Sequence, residues 1–107
     1  MSALPPAAAL ARAVRLLSAQ GFRETARNAR GDSVYLRPEG CAYALRVSNH
    51  ARTPRQRRNH PEAIVSLVIR STRTEAQVAA LAAAAARDFA AARARAEVQD
   101  AEASSRK

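Results

Sequence analysis

Four arginines, Arg52, Arg55, Arg57 and Arg58, crowd the stretch from Asn49 to Glu62, which also holds His50, His60, Pro54 and Pro61. Guanidinium groups present planar forks of donors that match phosphate oxygens in pairs, and a segment carrying several of them can follow a phosphate backbone without a rigid site. A self-repelling solvated loop is the plain alternative. A connection of that length without regular structure is unusual in a compact domain and is more often functional. Cys41, His50 and His60 are the other groups able to do chemistry, but no CxxC or HxxxH spacing joins them, so no metal site is expected. His50 as a general base would need a second group at the phosphate, and nothing in the spacing of Asp32 and Glu62 fixes one. Glycine stands only at 21, 31 and 40, which excludes a phosphate-cradling loop, and no Ser-His-Asp signature is readable. The residues therefore point to binding without catalysis and without a cofactor.

The elements that must position these arginines follow from periodicity. Pro5 and Pro6 suit a first helical turn, Leu10, Val14 and Leu17 share one face, and Gly21 supplies a stop. Phe22 to Asn28 is polar enough to be an edge strand or a loop. Ser33 to Arg37 alternates as a half-buried strand, Pro38-Glu39-Gly40 turns the chain, and Ala42 to Ser48 reads as the returning strand of a hairpin. Ala63 to Arg70 is the most β-branched run and forms the next strand. Thr72-x-x-Glu75 and Thr74-x-x-Gln77 are overlapping capping boxes, with Val78, Leu81, Ala85 and Phe89 as the buried stripe of the helix that follows. High helix propensity continues to about Glu102, beyond any large apolar stripe, so residues 90–107 should form a projecting helix end and a frayed tail.

The expected fold is therefore α+β, in the order α-β-β-β-α. A small antiparallel sheet packs an N-terminal helix and a long Ala-rich C-terminal helix on one face, and 49–62 is a basic loop. Alternation sends Val34, Leu36, Tyr43, Leu45 and Val47 inward and places Tyr35, Arg37 and Arg46 outward, joined by Ile64, Val68 and Arg70. That open face is a second candidate surface, for phosphate or for a protein partner.

Length and charge narrow the classes further. The chain has 107 residues, enough for one small domain, and 28 of them are Ala, so the core is modest. Lys and Arg number 18 against 9 Asp and Glu, and residues 1–74 carry the whole excess of +9. Arg richness can reflect GC-rich coding, but this uneven placement favours a basic surface for phosphate backbones or acidic protein patches. A single cysteine forbids an intrachain disulfide and suits the cytoplasm, and no apolar run is long enough to span a membrane. The long C-terminal helix or the open sheet face could also pair two copies.

The helix, Gly21-Phe22, the basic segment, Gly31-Asp32-Ser33 and the strands after it resemble, over residues 8–90, the small dsRBD-like toxins of the HicA family. The resemblance implies an RNA-binding α-β-β-β-α fold. Those toxins cut RNA with a histidine that follows a Gly-Ser pair, whereas the matching stretch here reads Gly31-Asp32-Ser33-Val34-Tyr35, without it. Ser33-x-Tyr35 and Arg46-Val47-Ser48-Asn49-His50 also resemble short proteins of phages and mobile elements, some of which are anti-CRISPR proteins. That likeness implies an inhibitor of a nucleic-acid-handling complex.

The function expected from all of this is a non-enzymatic basic binding protein. It would engage nucleic acid, or a ribonucleoprotein or protein complex with an acidic surface, through Arg52, Arg55, Arg57, Arg58, Arg37, Arg46, Arg70 and Tyr35. Rival expectations are an anti-CRISPR-type inhibitor anchored on Tyr35, Ile64 and Val68, and a ribonuclease using His50.

Overall fold

The computed structural model describes residues 3–105. Its elements run β1 (Ala3–Leu4), α1 (Pro6–Ala19), β2 (Phe22–Arg27), β3 (Ser33–Pro38), β4 (Ala44–Ser48), α2 (Pro54–Asn59), β5 (Ala63–Val68), β6 (Arg73–Thr74) and α3 (Glu75–Ser105). The α+β expectation holds, with α1 and α3 packed together against a four-stranded sheet of order β2-β3-β4-β5. The polar segment at Phe22 is an edge strand, antiparallel to β3, with an irregularity between Glu24 and Ala26. β1 and β6 form a separate short ribbon, Ala3 opposite Thr74 and Leu4 opposite Arg73, that ties the start of the chain to the start of α3.

The two long helices cover one sheet face. α1 buries Ala9, Leu10, Ala13 and Leu17, and α3 buries Val78, Ala82, Ala85 and Phe89, one helical face in each case. Against them lie Val34, Leu36, Leu45, Val47, Leu67 and Ile69, and Phe22 meets Phe89 edge to face at 5.3 Å. The small stripe of α3 explains how a core with few large side chains closes, because alanines let the two helices approach each other and the sheet. Leu81, expected in that stripe, is only partly buried, and Ala82 takes its place.

Thr74 starts α3 as expected: its backbone N–H donates to Gln77 Oε1 (2.9 Å), and Gln77 N–H donates to Thr74 Oγ1 (3.1 Å). The helix is about 46 Å long at ~1.5 Å per residue. In its distal half Arg93 pairs with Glu97 one turn on at 3.5 Å, and Tyr43 donates to the Asp100 carboxylate. Residues 101–105 are exposed helix, and the rest of the expected tail, 106–107, lies outside the described residues.

Two expectations are corrected. β5 runs parallel to β4, with Leu45 opposite Val65 and Val47 opposite Leu67, so the sheet is mixed. And 49–62 is not a loop but a crossover containing α2. The two corrections share a cause, because parallel neighbours need a connection of about a dozen residues or more, usually helical, to return the chain to the same end of the sheet. Thr53 caps α2 with a complete box: Gln56 N–H donates to Thr53 Oγ1 and Thr53 N–H to Gln56 Oε1, both at 3.1 Å, with Pro54 in the first turn.

Candidate nucleic-acid interface

The crossover lies against the sheet face opposite the helices, and this changes the standing of the outward residues. Alternation places them on the correct face, but Tyr35 and Arg46 are 1% and 0% exposed, not part of an open surface. Tyr35 lies under His60, ring centroids 3.9 Å apart and planes 21° from parallel. Arg46, opposite Tyr35 across the β3–β4 pair, is the hub of a buried polar cluster.

One nitrogen of Arg46 makes all its contacts. Nη2 donates to the His50 carbonyl at 3.0 Å, to Gln56 Oε1 at 3.1 Å and to Ser33 Oγ at 3.3 Å. Gln56 Nε2 also donates to Ser33 Oγ at 3.1 Å, and Ser33 and Ser48 share a bond of 2.9 Å. Ser48 spends its own proton on the Asp32 carbonyl at 2.7 Å, so the Ser33 hydroxyl donates to Ser48 Oγ or to His50 Nε2, 3.2 Å away. Nε and Nη1 of Arg46 have no partner within the protein although both are buried, and no carboxylate lies within ion-pair distance of this side chain among the described residues. Burial lowers the Arg46 pKa; the neighbouring Tyr35 hydroxyl opposes that shift electrostatically, but the two side chains fall short of well-formed hydrogen-bond geometry. A guanidinium stays charged through such a shift, so the site holds a buried cation without a direct ion pair, favoured at longer range by Asp32 and opposed by Arg52.

The β2–β3 turn closes one side of the cluster. Gly31 closes the turn by donating its N–H to the Asn28 carbonyl at 3.0 Å, and its left-handed φ of +73° redirects the chain toward Ser33. Asn28 accepts from Ser33 N–H at 3.0 Å and donates to the Asp32 carboxylate, whose Oδ1 also lies 3.3 Å from His50 Nε2. The Asn28 amide, then His50 and Arg30, hold the Asp32 pKa below the ordinary carboxylate value against the opposing effect of burial. His50 Nδ1 lies 2.9 Å from the Ala51 carbonyl, so both its ring nitrogens are engaged inside the protein.

Between this turn and α2 lies a cleft of about 460 Å³ lined by Asn28, Ala29, Arg30, Tyr35, Thr53, Arg55, Gln56, Asn59 and His60. A second hollow of the same size shares Asn28, Arg30, Thr53 and Gln56 with it and reaches Asp32 and His50.

The expected arginines therefore separate by role. Arg55 lines the cleft, and Arg57 and Arg58 are exposed on α2. Arg52 is a clamp: Nη1 donates to the Ala63 carbonyl at 3.0 Å and Nη2 to the His60 carbonyl, which fixes both ends of the second half of the crossover. Arg37 sits half-buried at the far end of β3, beside Arg23, Glu24 and Glu39, and Arg70 is exposed just past β5. Neither lines the cleft. Arg30, Asn59, His60 and Gln56 do, and the sequence reading assigned none of them to a binding site. The missed signal was Thr53-Pro54-x-Gln56, a capping box that announces a helix inside the supposed loop. The motif residues Ser33, Tyr35, Arg46, Ser48 and His50 do converge, in the polar cluster and on the cleft floor.

No family model, curated protein or solved structure matches this chain.

Proposed function

We propose that this protein is a non-enzymatic nucleic-acid-binding protein of the cytoplasm that grips phosphates with Arg30, Arg55, Arg57 and Arg58 around the cleft. One observation carries the reading. Among the described residues, none of these four guanidiniums pairs with a carboxylate, as is also true of exposed Arg15, Arg70, Arg87 and Arg95, but these four gather on the turn and the helix that flank one cleft. Unpaired cations on a turn and a helix flanking one cleft suit a polyanion, and their binding should be steeply salt-dependent. The engagement of both His50 nitrogens supports binding over strand cleavage. Of the inhibitor alternative's anchor residues Tyr35 is buried and Ile64 and Val68 are half-buried, and Val98, on the distal part of α3, is the large apolar side chain most exposed among the described residues.

The test is binding of labelled duplex DNA, single-stranded DNA and structured RNA across a salt series, for the wild type and for Arg55/Arg57/Arg58→Ala. Arg52 is left intact because its loss would unseat the crossover. Each phosphate contact removed should lower the slope of log K against log salt by about 0.7 to 0.9. Absence of binding to all of them at moderate salt would overturn the proposal.

A further inference from the structure

We infer that the cleft between the β2–β3 turn and α2 receives one unpaired nucleotide of the bound strand, its base against the His60 ring and its phosphate toward Arg30 and Arg55. This rests on the nucleic-acid reading and names which form of nucleic acid the site prefers. The volume, about 460 Å³, falls within the usual range for small-molecule pockets, about 300–1,000 Å³, and suits a single nucleotide better than a duplex groove.

The lining divides into groups already used and groups left free. Both ends of the Asn28 amide are engaged within the turn, and Gln56 is engaged at both its oxygen and its nitrogen. Thr53 Oγ1 accepts from Gln56 N–H, which leaves its hydroxyl proton to give. Asn59 ends α2 with an exposed side chain that makes no hydrogen bond among those described. His60 uses Nδ1 on Glu62 at 3.1 Å, and its side chain remains 29% exposed with Nε2 free of a protein partner among the described residues. Tyr35, which lines the cleft beneath it, carries a buried hydroxyl without a partner, beside the Arg46 cation whose Nε and Nη1 are also unpartnered.

Each feature fits one part of a nucleotide. The Tyr35–His60 stack supplies a rigid aromatic face, held from below and from Glu62, on which a base can lie whatever its identity. Asn59 and Thr53 offer donors and an acceptor to a base edge. Arg30 and Arg55 supply charge at the cleft, and Arg57 and Arg58 supply it along α2, where the strand continues. A base inside a duplex would have to leave its own stack to enter, so single strands, loops and bulges are favoured.

The test compares short labelled single strands of RNA and of DNA with the matched duplex by fluorescence anisotropy, using full-length wild type, His60→Ala, His60→Phe and Asn59→Ala. Thermal unfolding of each variant confirms the fold. Single strands should bind the wild type more tightly than duplex, and His60→Ala should weaken them about tenfold while changing duplex binding little. His60→Phe, which keeps the stacking face, should restore most of that loss. Asn59→Ala, which disturbs no internal bond, should weaken single strands by about threefold. Equal single-strand and duplex affinity that is insensitive to both His60 variants, but lost in Arg55/Arg57/Arg58→Ala, would overturn the nucleotide site and leave phosphate binding standing. No binding by any strand would overturn both. A preference for RNA over DNA single strands would support the site and assign it a 2′-hydroxyl contact; equal affinity would support a base-and-phosphate site common to both.

Discussion

The two faces of the sheet are both buried, and they are buried by different physics. Under α1 and α3 lies an apolar layer built from aliphatic side chains, alanines and the Phe22–Phe89 pair. Under the crossover lies a layer of hydroxyls, an amide, an imidazole and an arginine. The apolar side depends on shape and volume, because dehydration has no direction but close packing leaves no voids. The polar side depends on direction as well, since each hydrogen bond there is matched by the cost of losing it.

Substitutions on each face should separate the two kinds of burial. The largest loss is expected from Phe89→Ala, about 3–5 kcal/mol from the cavity and the lost edge-to-face pair, read by chemical denaturation. Arg46→Ala comes next, at about 3 kcal/mol, because it strips donors from Ser33, Gln56 and His50 and opens a void. Arg46→Met, which fills that space without charge, should cost less, about 1 kcal/mol, since it also removes the burial of a cation that has no direct ion pair. If the methionine variant is as unstable as the alanine one, packing rather than charge governs the polar face. Thr53→Ala should cost about 1 kcal/mol through the lost cap and loosen the crossover alone, visible as faster amide exchange in α2 with α3 unchanged.

The smallest effect is pH-dependent. Asp32 titrates below its unfolded value, so its stabilisation is complete above about pH 4 and disappears as pH falls through the lower folded pKa. Asp32→Asn should therefore be less stable than wild type near neutrality and indistinguishable from it in strong acid. A difference that persists in acid would mean that Asp32 acts through shape, not charge.

The same contrast explains what could be read from the sequence. The helices, the β3–β4 hairpin, the inward set from Val34 to Val47 and the Thr74 cap all follow from periodicity and capping, which are local. Alternation even assigned Tyr35 and Arg46 to the correct face. It could not show that the face was covered, because the cover depends on pairings such as Gln56 with Ser33, distant in sequence and carrying no period. The parallel direction of β5 was hidden for a related reason. A β-branched run such as Ile64-Val65-Ser66-Leu67-Val68 pairs in either direction, and only the helix hidden in the preceding segment decides between them. Arg52 shows the limit most sharply: in sequence it is one of four equal arginines, yet two backbone carbonyls make it part of the scaffold.

Gln56 carries a last consequence. Its single amide closes the cap of α2, accepts from Arg46 and donates to Ser33. The short helix is thus wired to the sheet by the same side chain that caps it, with the His60–Tyr35 stack securing its far end, so unwinding it and lifting it off are coupled. The crossover should open and shut as a latch, all at once, and a strand lodged in the cleft would slow its release without touching the rest of the molecule.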